Sequence, residues 1–180
     1  MADTPSLISR RAVLGGVLAA PFIIRPAEAA GRARALAMKH LHTEESIVAT
    51  YWRNGRYDRG AWAELNHFLR DWRTDAVKRI DLKTLDIIHG VCERMRTMGP
   101  VEIIGGYRSP QTNAMLRHTS SGVAKKSYHM KGQAVDFHLP RQDIRETYRT
   151  ALAMNSGGVG LYTHSKFVHV DTGPVRTWGR

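Results

Sequence analysis

A histidine and an aspartate lie seven positions apart in the segment SYHMKGQAVDF, residues 127–137. The histidine is His129 and the aspartate is Asp136, and the small residues Gly132 and Ala134 lie between them. Two interpretations are open. Either the two side chains are ligands of one metal ion, or they belong to an ordinary strand and the loop that leads into it. In the second interpretation the histidine is a surface residue, and the aspartate accepts backbone N–H groups at the end of a strand.

A later segment, FVHVD at 167–171, supplies a second histidine, His169. Alternation of apolar and polar residues predicts a strand here and another over 133–139. His169 and Asp136 then lie on matching, non-apolar faces of these strands. A buried carboxylate without a partner is costly, whereas two imidazoles and one carboxylate can hold zinc and leave a fourth position for water. Zinc lowers the pKa of such water to about 7, so the pattern is compatible with a catalytic zinc centre.

Three segments together resemble one group of enzymes. They are SYHMKGQAVD, FVHVDTG and, upstream of both, GYRS at 106–109. They are similar to the zinc metallopeptidases that include lysostaphin-type enzymes, D-alanyl-D-alanine carboxypeptidases and the zinc-bearing hedgehog signalling domain. The closing stretch, GGVGLY followed by FVHVDTGPVRTW, brings the chain close to the murein endopeptidase K group. The resemblance covers most of the chain after its N-terminal segment.

This resemblance implies an α+β fold in which a small antiparallel sheet carries the zinc site and helices flank it. It implies Zn2+ as the cofactor, with His129, Asp136 and His169 as the metal ligands. It also implies hydrolysis of peptide bonds in peptidoglycan stem peptides, by an endopeptidase at crosslinks. Arg108 of the GYRS motif is then expected to hold the substrate carbonyl or its developing oxyanion; alternatively, it makes a structural ion pair. Ser127 lines the site or only shapes the loop.

The chain departs from these relatives at the position of the general base. Relatives often carry Glu or Asp three residues before the last zinc histidine, or a histidine two residues before it, whereas Lys166 and Phe167 stand here. The nearest carboxylate is Asp171, on the same strand face as that histidine and roughly 7 Å further along the strand. We predict that Asp171 is the base that orients the metal-bound water; alternatively, it accepts a hydrogen bond that fixes a histidine ring. His164 and His138 are weaker candidates.

The first thirty residues have the three parts of an export signal. A twin arginine at 10–11 precedes an apolar run over 12–24, and a small-residue A-x-A cleavage site follows at 27–29. The apolar run is too short to cross a bilayer of about 30 Å as a helix, and the paired arginines favour the twin-arginine export route. We predict a cleaved signal peptide over 1–29, one peptidase domain over 30–180, a periplasmic location and no stable membrane insertion. The alternative is an uncleaved N-terminal membrane helix.

The charge balance narrows the class of partner. The chain has 27 Lys and Arg residues against 16 Asp and Glu residues, a formal net charge of +11. A basic protein favours an anionic partner, and for an exported protein we predict peptidoglycan. The charges are scattered, without the basic stripe and interleaved aromatic residues of nucleic-acid binders, so we expect no nucleic acid. Because the usual base is missing, the alternative function is a non-catalytic, zinc-containing module that binds the cell wall.

The single cysteine, Cys92, excludes a disulfide within the chain and a cysteine metal cluster. It lies inside an apolar helical pattern, which is typical of a buried small hydrophobic residue.

Hydrophobic patterning predicts the elements that must position these side chains. Asn54-Gly55, between β-forming runs over 47–58, predicts a hairpin. Apolar stripes predict helices over 58–73 and 81–99, the second with Asp81 as its N-cap. Downstream, the patterns predict a strand in the segment 100–109 that ends at its paired glycines, and then a helix that begins after Ser109 with Pro110. The strand over 133–139, a helix over 140–154 and two short strands over 157–173 follow. This order of antiparallel strands and segregated helices indicates an α+β domain.

Overall fold

The computed structural model of the protein describes residues 33–97, 99–120 and 122–179. The predicted signal peptide over 1–29 lies outside the described residues. The strands are β1 (Arg34–His40), β2 (Ser46–Arg53), β3 (Arg56–Tyr57), β4 (Val101–Gly105), β5 (Ala134–His138), β6 (Gly158–Tyr162), β7 (Phe167–Asp171) and β8 (Arg176–Gly179). The helices are α1 (Arg59–Phe68), α2 (Leu82–Arg94), α3 (Pro110–Thr119) and α4 (Ile144–Leu152).

The eight strands in the described part of the chain form one mixed sheet in the order β3-β2-β1-β4-β5-β7-β6-β8. β1 pairs with β4 and β6 pairs with β8 in parallel, and the other neighbours are antiparallel. The α+β class is confirmed, but the prediction of a small, purely antiparallel sheet is wrong. The error comes from β1 and β8. The β1 sequence RALAMKH consists mainly of good helix formers, and β8 is a four-residue edge strand that is too short to show a periodic pattern.

Turn and capping residues act as predicted. β2 and β3 pair in antiparallel register across Asn54 and Gly55, which both have positive φ. Asp81 caps α2 by accepting the N–H of Lys83, and Ser109 caps α3 by accepting an N–H group one turn later. These local contacts set the starting points of the two helices on either side of β4.

Three helices are shorter than their apolar stripes predict. α1 ends at Phe68 rather than at position 73, because the chain turns at Asp71, whose carboxylate accepts two backbone N–H groups. α2 ends at Arg94 rather than at position 99, and Arg96 has a φ of 50°, which an α-helix does not contain. α4 begins after the N-cap Asp143 rather than at position 140.

The hydrophobic core lies between the sheet and the helices and determines which way the central strands face. In β5 the buried residues Val135 and Phe137 alternate with Asp136, and in β7 Val168 and Val170 flank His169 in the same way. Each of these valine and phenylalanine side chains contributes about 1.5–3 kcal/mol to the stability of the fold when it is fully buried. A register slip of one residue would exchange the two faces, so the packing of the core fixes the face on which the polar residues lie.

Among the helices that the structure describes, none has the length and apolar character needed to cross a membrane.

Candidate metal centre

The two predicted ligands on strands are direct neighbours in the sheet. Asp136 and His169 are partners in the antiparallel pairing of β5 with β7, and Asp136 Oδ1 lies 2.7 Å from His169 Nδ1. His129 approaches from the short 3-10 helix at Tyr128–Lys131. Its Nε2 atom lies 3.3 Å from Asp136 Oδ2 and 3.2 Å from His169 Nδ1. The structure therefore brings all three predicted metal ligands together.

The loop before β5 owes its shape to Ser127 and Gly132. Ser127 is the N-cap of the 3-10 helix, and its Oγ accepts the N–H of His129 at 3.3 Å. Gly132 ends that helix with a left-handed φ of 70°, and a Cβ atom there would collide with the backbone carbonyl of Arg79. The glycine of the motif is thus needed for backbone conformation and close approach, and it directs the chain from His129 into β5.

Both histidine rings are held by acceptors on the nitrogen that faces away from the cluster. His129 Nδ1 donates to the carbonyl of Gly106 at 2.7 Å, and His169 Nε2 donates to Asp171 Oδ2 at 3.0 Å. In a neutral imidazole the other nitrogen then carries a lone pair. When both rings are neutral, His129 Nε2, His169 Nδ1 and the carboxylate of Asp136 are therefore three acceptors that converge without a donor among them. A divalent cation fits this arrangement, because it replaces their mutual repulsion with attraction.

Burial strengthens the electrostatics of this cluster. His129, Asp136 and His169 are only 3%, 7% and 7% exposed. Burial raises the pKa of the Asp136 carboxyl, but the two histidines lower it more, and the net pKa is below the ordinary value. Burial lowers the pKa of His169, while hydrogen bonds to Asp136 and Asp171 raise it, to about 9 overall. The site thus attracts positive charge at His169 Nδ1, where a metal ion competes with a proton.

Arg108 of the GYRS motif lies at the edge of the cluster. One of its terminal nitrogens, Nη2, is 3.9 Å from Asp136 Oδ2, which is too long for a hydrogen bond. Its side chain lines the open groove above the cluster. Arg108 therefore has an ionic contact with the site and still has N–H donors that point to the groove.

The loop that carries Arg108 is fixed by its backbone. A Cβ atom at Gly106 would lie 2.5 Å from the carbonyl oxygen of Leu69, so the close approach of these two segments requires glycine. The Arg108 N–H donates to the carbonyl of His129 at 3.2 Å, and the Ser109 N–H donates to an oxygen of a buried aspartate at 2.8 Å. The same loop thus orients the His129 ring through the Gly106 carbonyl and positions the arginine.

Asp171 is fully buried and surrounded by donors. Its Oδ2 accepts from His169 Nε2 at 3.0 Å and from Arg176 Nη2 at 2.6 Å. Its Oδ1 accepts from the N–H groups of Gly158 and Gly173, at 3.2 and 2.8 Å, and from Arg176 Nη1 at 3.0 Å. Burial raises its pKa, but the hydrogen bonds from His169 and Arg176 lower it below its ordinary value. The contact with His169 lies on the ring nitrogen that faces away from Asp136.

The residues at the usual positions of the base, and the two weaker candidates, make other contacts. Phe167 stacks on a tyrosine ring with centroids 4.4 Å apart and lines both cavities at the cluster, and Lys166 is exposed in the turn with a φ of 52°. His138 Nδ1 bonds to a glutamate at 2.9 Å, and His164 is exposed in the same turn as the lysine. Burial raises the pKa of Cys92 in α2 to about 12, which agrees with a structural role for this thiol.

The cluster lies where two cavities meet. The first has a volume of about 590 Å³ and an aromatic wall that includes Tyr128, Tyr162 and Trp178. The second has a volume of about 440 Å³, and its lining includes Trp72 and Arg73. Asp136 and Arg108 line both cavities. An open groove therefore extends from the cluster in two directions, as a substrate with chain on both sides of the reacting bond requires.

Sequence reasoning missed several residues of this groove, among them Trp72, Arg73, Arg176 and Trp178. They come from the turn after α1 and from β8, and no motif spacing connects them with the predicted ligands. For Arg176 the sequence offers one signal, an arginine five positions after the candidate Asp171.

Comparisons with known proteins identify close relatives. A family model described as peptidoglycan L,D-endopeptidase MepK matches residues 28–178. The chain is 46% identical over 169 residues to the peptidoglycan L,D-endopeptidase MepK of Escherichia coli strain K12, with coverage of 92% of this chain and 93% of that protein. It is 36% identical over 146 residues to the probable peptidoglycan L,D-endopeptidase MepK of Haemophilus influenzae, with coverage of 81% and 78%. The matched region contains the whole cluster.

Proposed function

Because this chain belongs to the peptidoglycan L,D-endopeptidase MepK family, we propose that it is a zinc-dependent endopeptidase that hydrolyses peptide bonds of peptidoglycan stem peptides at crosslinks. The family matches confirm the resemblance that the motifs predicted. The main structural support is the convergence of His129 Nε2, His169 Nδ1 and the Asp136 carboxylate, with both ring tautomers set by acceptors behind the rings.

Zn2+ is the cofactor in this proposal, held by His129, Asp136 and His169. Two imidazole nitrogens and one carboxylate oxygen are a set that zinc takes in catalytic sites, where three protein ligands leave one position open. The three ligating atoms lie within 4.8 Å of one another, close enough to share one ion. When bound, zinc polarises the substrate carbonyl as a Lewis acid and lowers the pKa of water.

Arg108 binds the carbonyl oxygen of the scissile amide in this proposal. Among the described residues its guanidinium makes no hydrogen bond, and it lines the groove on both sides of the cluster. N–H donors at this position stabilise negative charge that develops on the carbonyl oxygen during attack. A charged guanidinium is a stronger donor than a neutral group, so this interaction tightens as the oxyanion forms.

For Asp171 we propose the second of its two predicted roles, as the acceptor that positions His169. Its oxygens already accept from five donors, and its side chain is fully buried, which leaves no oxygen exposed to a water in the groove. The carboxylate holds the proton on His169 Nε2 and thereby keeps Nδ1 free as a metal ligand. It also pairs with Arg176, which closes this side of the site.

A periplasmic location agrees with a peptidoglycan substrate. We propose that residues 1–29 are a twin-arginine signal peptide, that residues 30–180 form the mature peptidase domain, and that the protein acts in the periplasm. The formal net charge of +11 favours association with the anionic cell wall.

The proposal is tested by digestion of purified, crosslinked muropeptides with the zinc-loaded protein, with and without a chelator, and by the masses of the products. We expect chelator-sensitive conversion of dimers into monomers, with one water added per bond cut, and the product masses name the bond. Zinc-loaded protein that binds muropeptides but leaves the dimers intact would contradict the proposal. That result would favour the non-catalytic cell-wall module instead, in line with Lys166 and Phe167 at the usual positions of the base.

A further inference from the structure

Two arginines from separate segments line the same arm of the groove. Arg73 lies in the turn after α1 and Arg108 in the loop after β4, and both line the cavity that ends at Asp136. The closest carboxylate oxygen to Arg108 is 3.9 Å away, on Asp136. Within the described residues, the guanidinium of Arg73 has no carboxylate within 4 Å. Two positive groups thus face one cavity, whose described lining holds two carboxylates: the candidate metal ligand Asp136 and the buried Asp71, whose oxygens accept backbone N–H groups.

A single buried carboxylate fixes the backbone of both arginines. Asp71 is 2% exposed; its Oδ1 accepts the N–H of Arg73 at 3.1 Å, and its Oδ2 accepts the N–H of Ser109, next to Arg108, at 2.8 Å. The N–H of Asp71 donates to the carbonyl of Ala76 at 3.0 Å and closes the turn that carries Arg73. The relative placement of the two arginines is therefore built into the fold.

The side chain of Arg73 is also held in place. Its guanidinium carbon lies 3.9 Å from the centroid of the Trp72 ring, and Trp72 stacks on His42 with centroids 4.4 Å apart. Stacking on an aromatic face leaves the N–H edge of a guanidinium free to bind an anion. Burial lowers the pKa of Arg73, Asp71 raises it, and the charge of Arg108 lowers it again. Such a repulsion is expected for two positive charges that line one cavity.

We propose that Arg73, supported by the charge of Arg108, forms a carboxylate-binding subsite for a free carboxylate of the stem peptide beside the scissile amide. This inference rests on the proposed function and names a feature of its substrate. In a crosslink through the D-centre of diaminopimelate, the carbon that bears the scissile nitrogen also bears a carboxylate. The planar guanidinium fork matches a carboxylate with two parallel hydrogen bonds. The subsite therefore selects crosslinks whose carboxylate is free over those in which it is amidated.

The main comparison of the experiment uses two substrates and three proteins. The substrates are a crosslinked dimer with free diaminopimelate carboxylates and the same dimer with carboxamides. The proteins are the wild type, Arg73→Gln and the matched control Arg56→Gln. Arg56 is an exposed arginine in β3, at the far edge of the sheet, so its replacement removes the same charge without touching the groove. Zinc content and thermal unfolding are measured on all three proteins.

We expect Arg73→Gln to lose roughly tenfold to a hundredfold in kcat/KM on the free-acid dimer, the range for a lost charge-assisted hydrogen bond, and to change little on the carboxamide dimer. Arg56→Gln is expected to match the wild type on both. Equal losses on both dimers, or no loss on either, would overturn the subsite. Arg73→Lys, which keeps the charge without the fork, is expected to show an intermediate loss on the free acid, and it serves as the test if the glutamine variant unfolds.

Binding separates failure of the subsite from failure of the proposed function. If wild-type protein cleaves neither dimer, the endopeptidase proposal is wrong. Calorimetry then still tests the subsite, with the monomeric stem tripeptide that ends in diaminopimelate and its carboxamide as probes. Tighter binding of the free acid by the wild type than by Arg73→Gln supports the subsite, and equal binding overturns it.

Discussion

The contacts of Asp171 predict what an amide in place of its carboxylate does to metal binding. Oδ1 accepts from Gly158, Gly173 and Arg176 at 3.2, 2.8 and 3.0 Å. In Asp171→Asn the amide oxygen is therefore expected at this position, where three donors meet. The NH2 group then takes the place of Oδ2, where Arg176 Nη2, at 2.6 Å in the wild type, loses its acceptor. It also faces His169 Nε2, which lies 3.0 Å from Oδ2 in the wild type.

This exchange reverses the tautomer of His169. Because an NH2 group donates, Nε2 must accept, and the ring proton moves to Nδ1. Nδ1 is the atom that lies 2.7 Å from Asp136 and binds the metal in our proposal. Loss of an outer partner of a metal ligand costs about tenfold to a hundredfold in affinity, or about 1.4–2.8 kcal/mol. We expect the upper end of this range, because the amide places a proton on the ligating nitrogen as well as removing an acceptor.

The assay is a competition between the protein and a chelator for zinc at neutral pH, followed by kcat at saturating zinc. Asp143→Asn is the matched control. Asp143 caps α4 by accepting two backbone N–H groups, and asparagine caps a helix about as well as aspartate does. The control is therefore expected to bind zinc like the wild type.

Unchanged zinc affinity in Asp171→Asn would refute the tautomer argument. If kcat at saturating zinc fell in that case, the other role predicted for Asp171, as a base that acts on the water, would replace the positioning role. A weaker affinity with kcat largely restored by excess zinc is the result that the geometry predicts.

Three further substitutions test the ligands, the loop and a buried histidine. His169→Ala is expected to lose zinc and turnover together, and full zinc stoichiometry in this variant would contradict its assignment as a ligand. Gly106→Ala places a Cβ atom 2.5 Å from a carbonyl oxygen, whereas Gly105 has nothing within 4 Å. Urea denaturation should therefore show Gly106→Ala about 1–3 kcal/mol less stable than wild type and Gly105→Ala close to it, and equal stability of the two variants would refute the steric argument. Burial and a neighbouring histidine lower the pKa of His40 from 6.5 to about 4, so the unfolded chain binds a proton that the native protein does not, and stability falls as pH drops through this window. His40→Gln should flatten that fall, measured as unfolding free energy against pH, and an identical slope would count against this origin.

The strands of the candidate site could be predicted because their signals are local. Alternation in β5 and β7 places Asp136 and His169 on the faces opposite the core valines, and packing enforces that choice. That these two residues are paired across neighbouring strands cannot be predicted from local sequence. It depends on the antiparallel register of strands about thirty residues apart, and the family resemblance, rather than the pattern, anticipated it.

The sheet topology could not be predicted from the alternation of apolar and polar residues. β1 pairs in parallel with β4 although its sequence favours a helix, because its buried residues Leu36 and Met38 complete the core. Tertiary packing overrides local propensity in such a strand. β8 is held by Arg176 and Trp178, which reach over β6 to the site, and such contacts leave no periodic trace in the sequence.

Local sequence patterns also failed to predict two residues of the groove, Trp72 and Arg73. Trp72 and Arg73 follow an apolar helical stripe, so the sequence pattern continues the helix through them. The structure ends the helix at Phe68 because the carboxylate of Asp71 binds backbone N–H groups of two segments. Hydrophobic periodicity cannot predict that a buried side chain binds the backbone of a distant loop. These hydrogen bonds of Asp71 place Arg73 at the groove.

The most direct test of the account is the activity of metal-free protein as zinc is added back in increments. Chelator-treated protein is mixed with dimeric muropeptides, and the rate of monomer formation is followed against zinc equivalents. We predict no cleavage without metal and a rise that saturates at about one zinc per chain, as expected for a single three-ligand site. Undiminished cleavage by metal-free protein would contradict the central claim that His129, Asp136 and His169 act together through one bound ion.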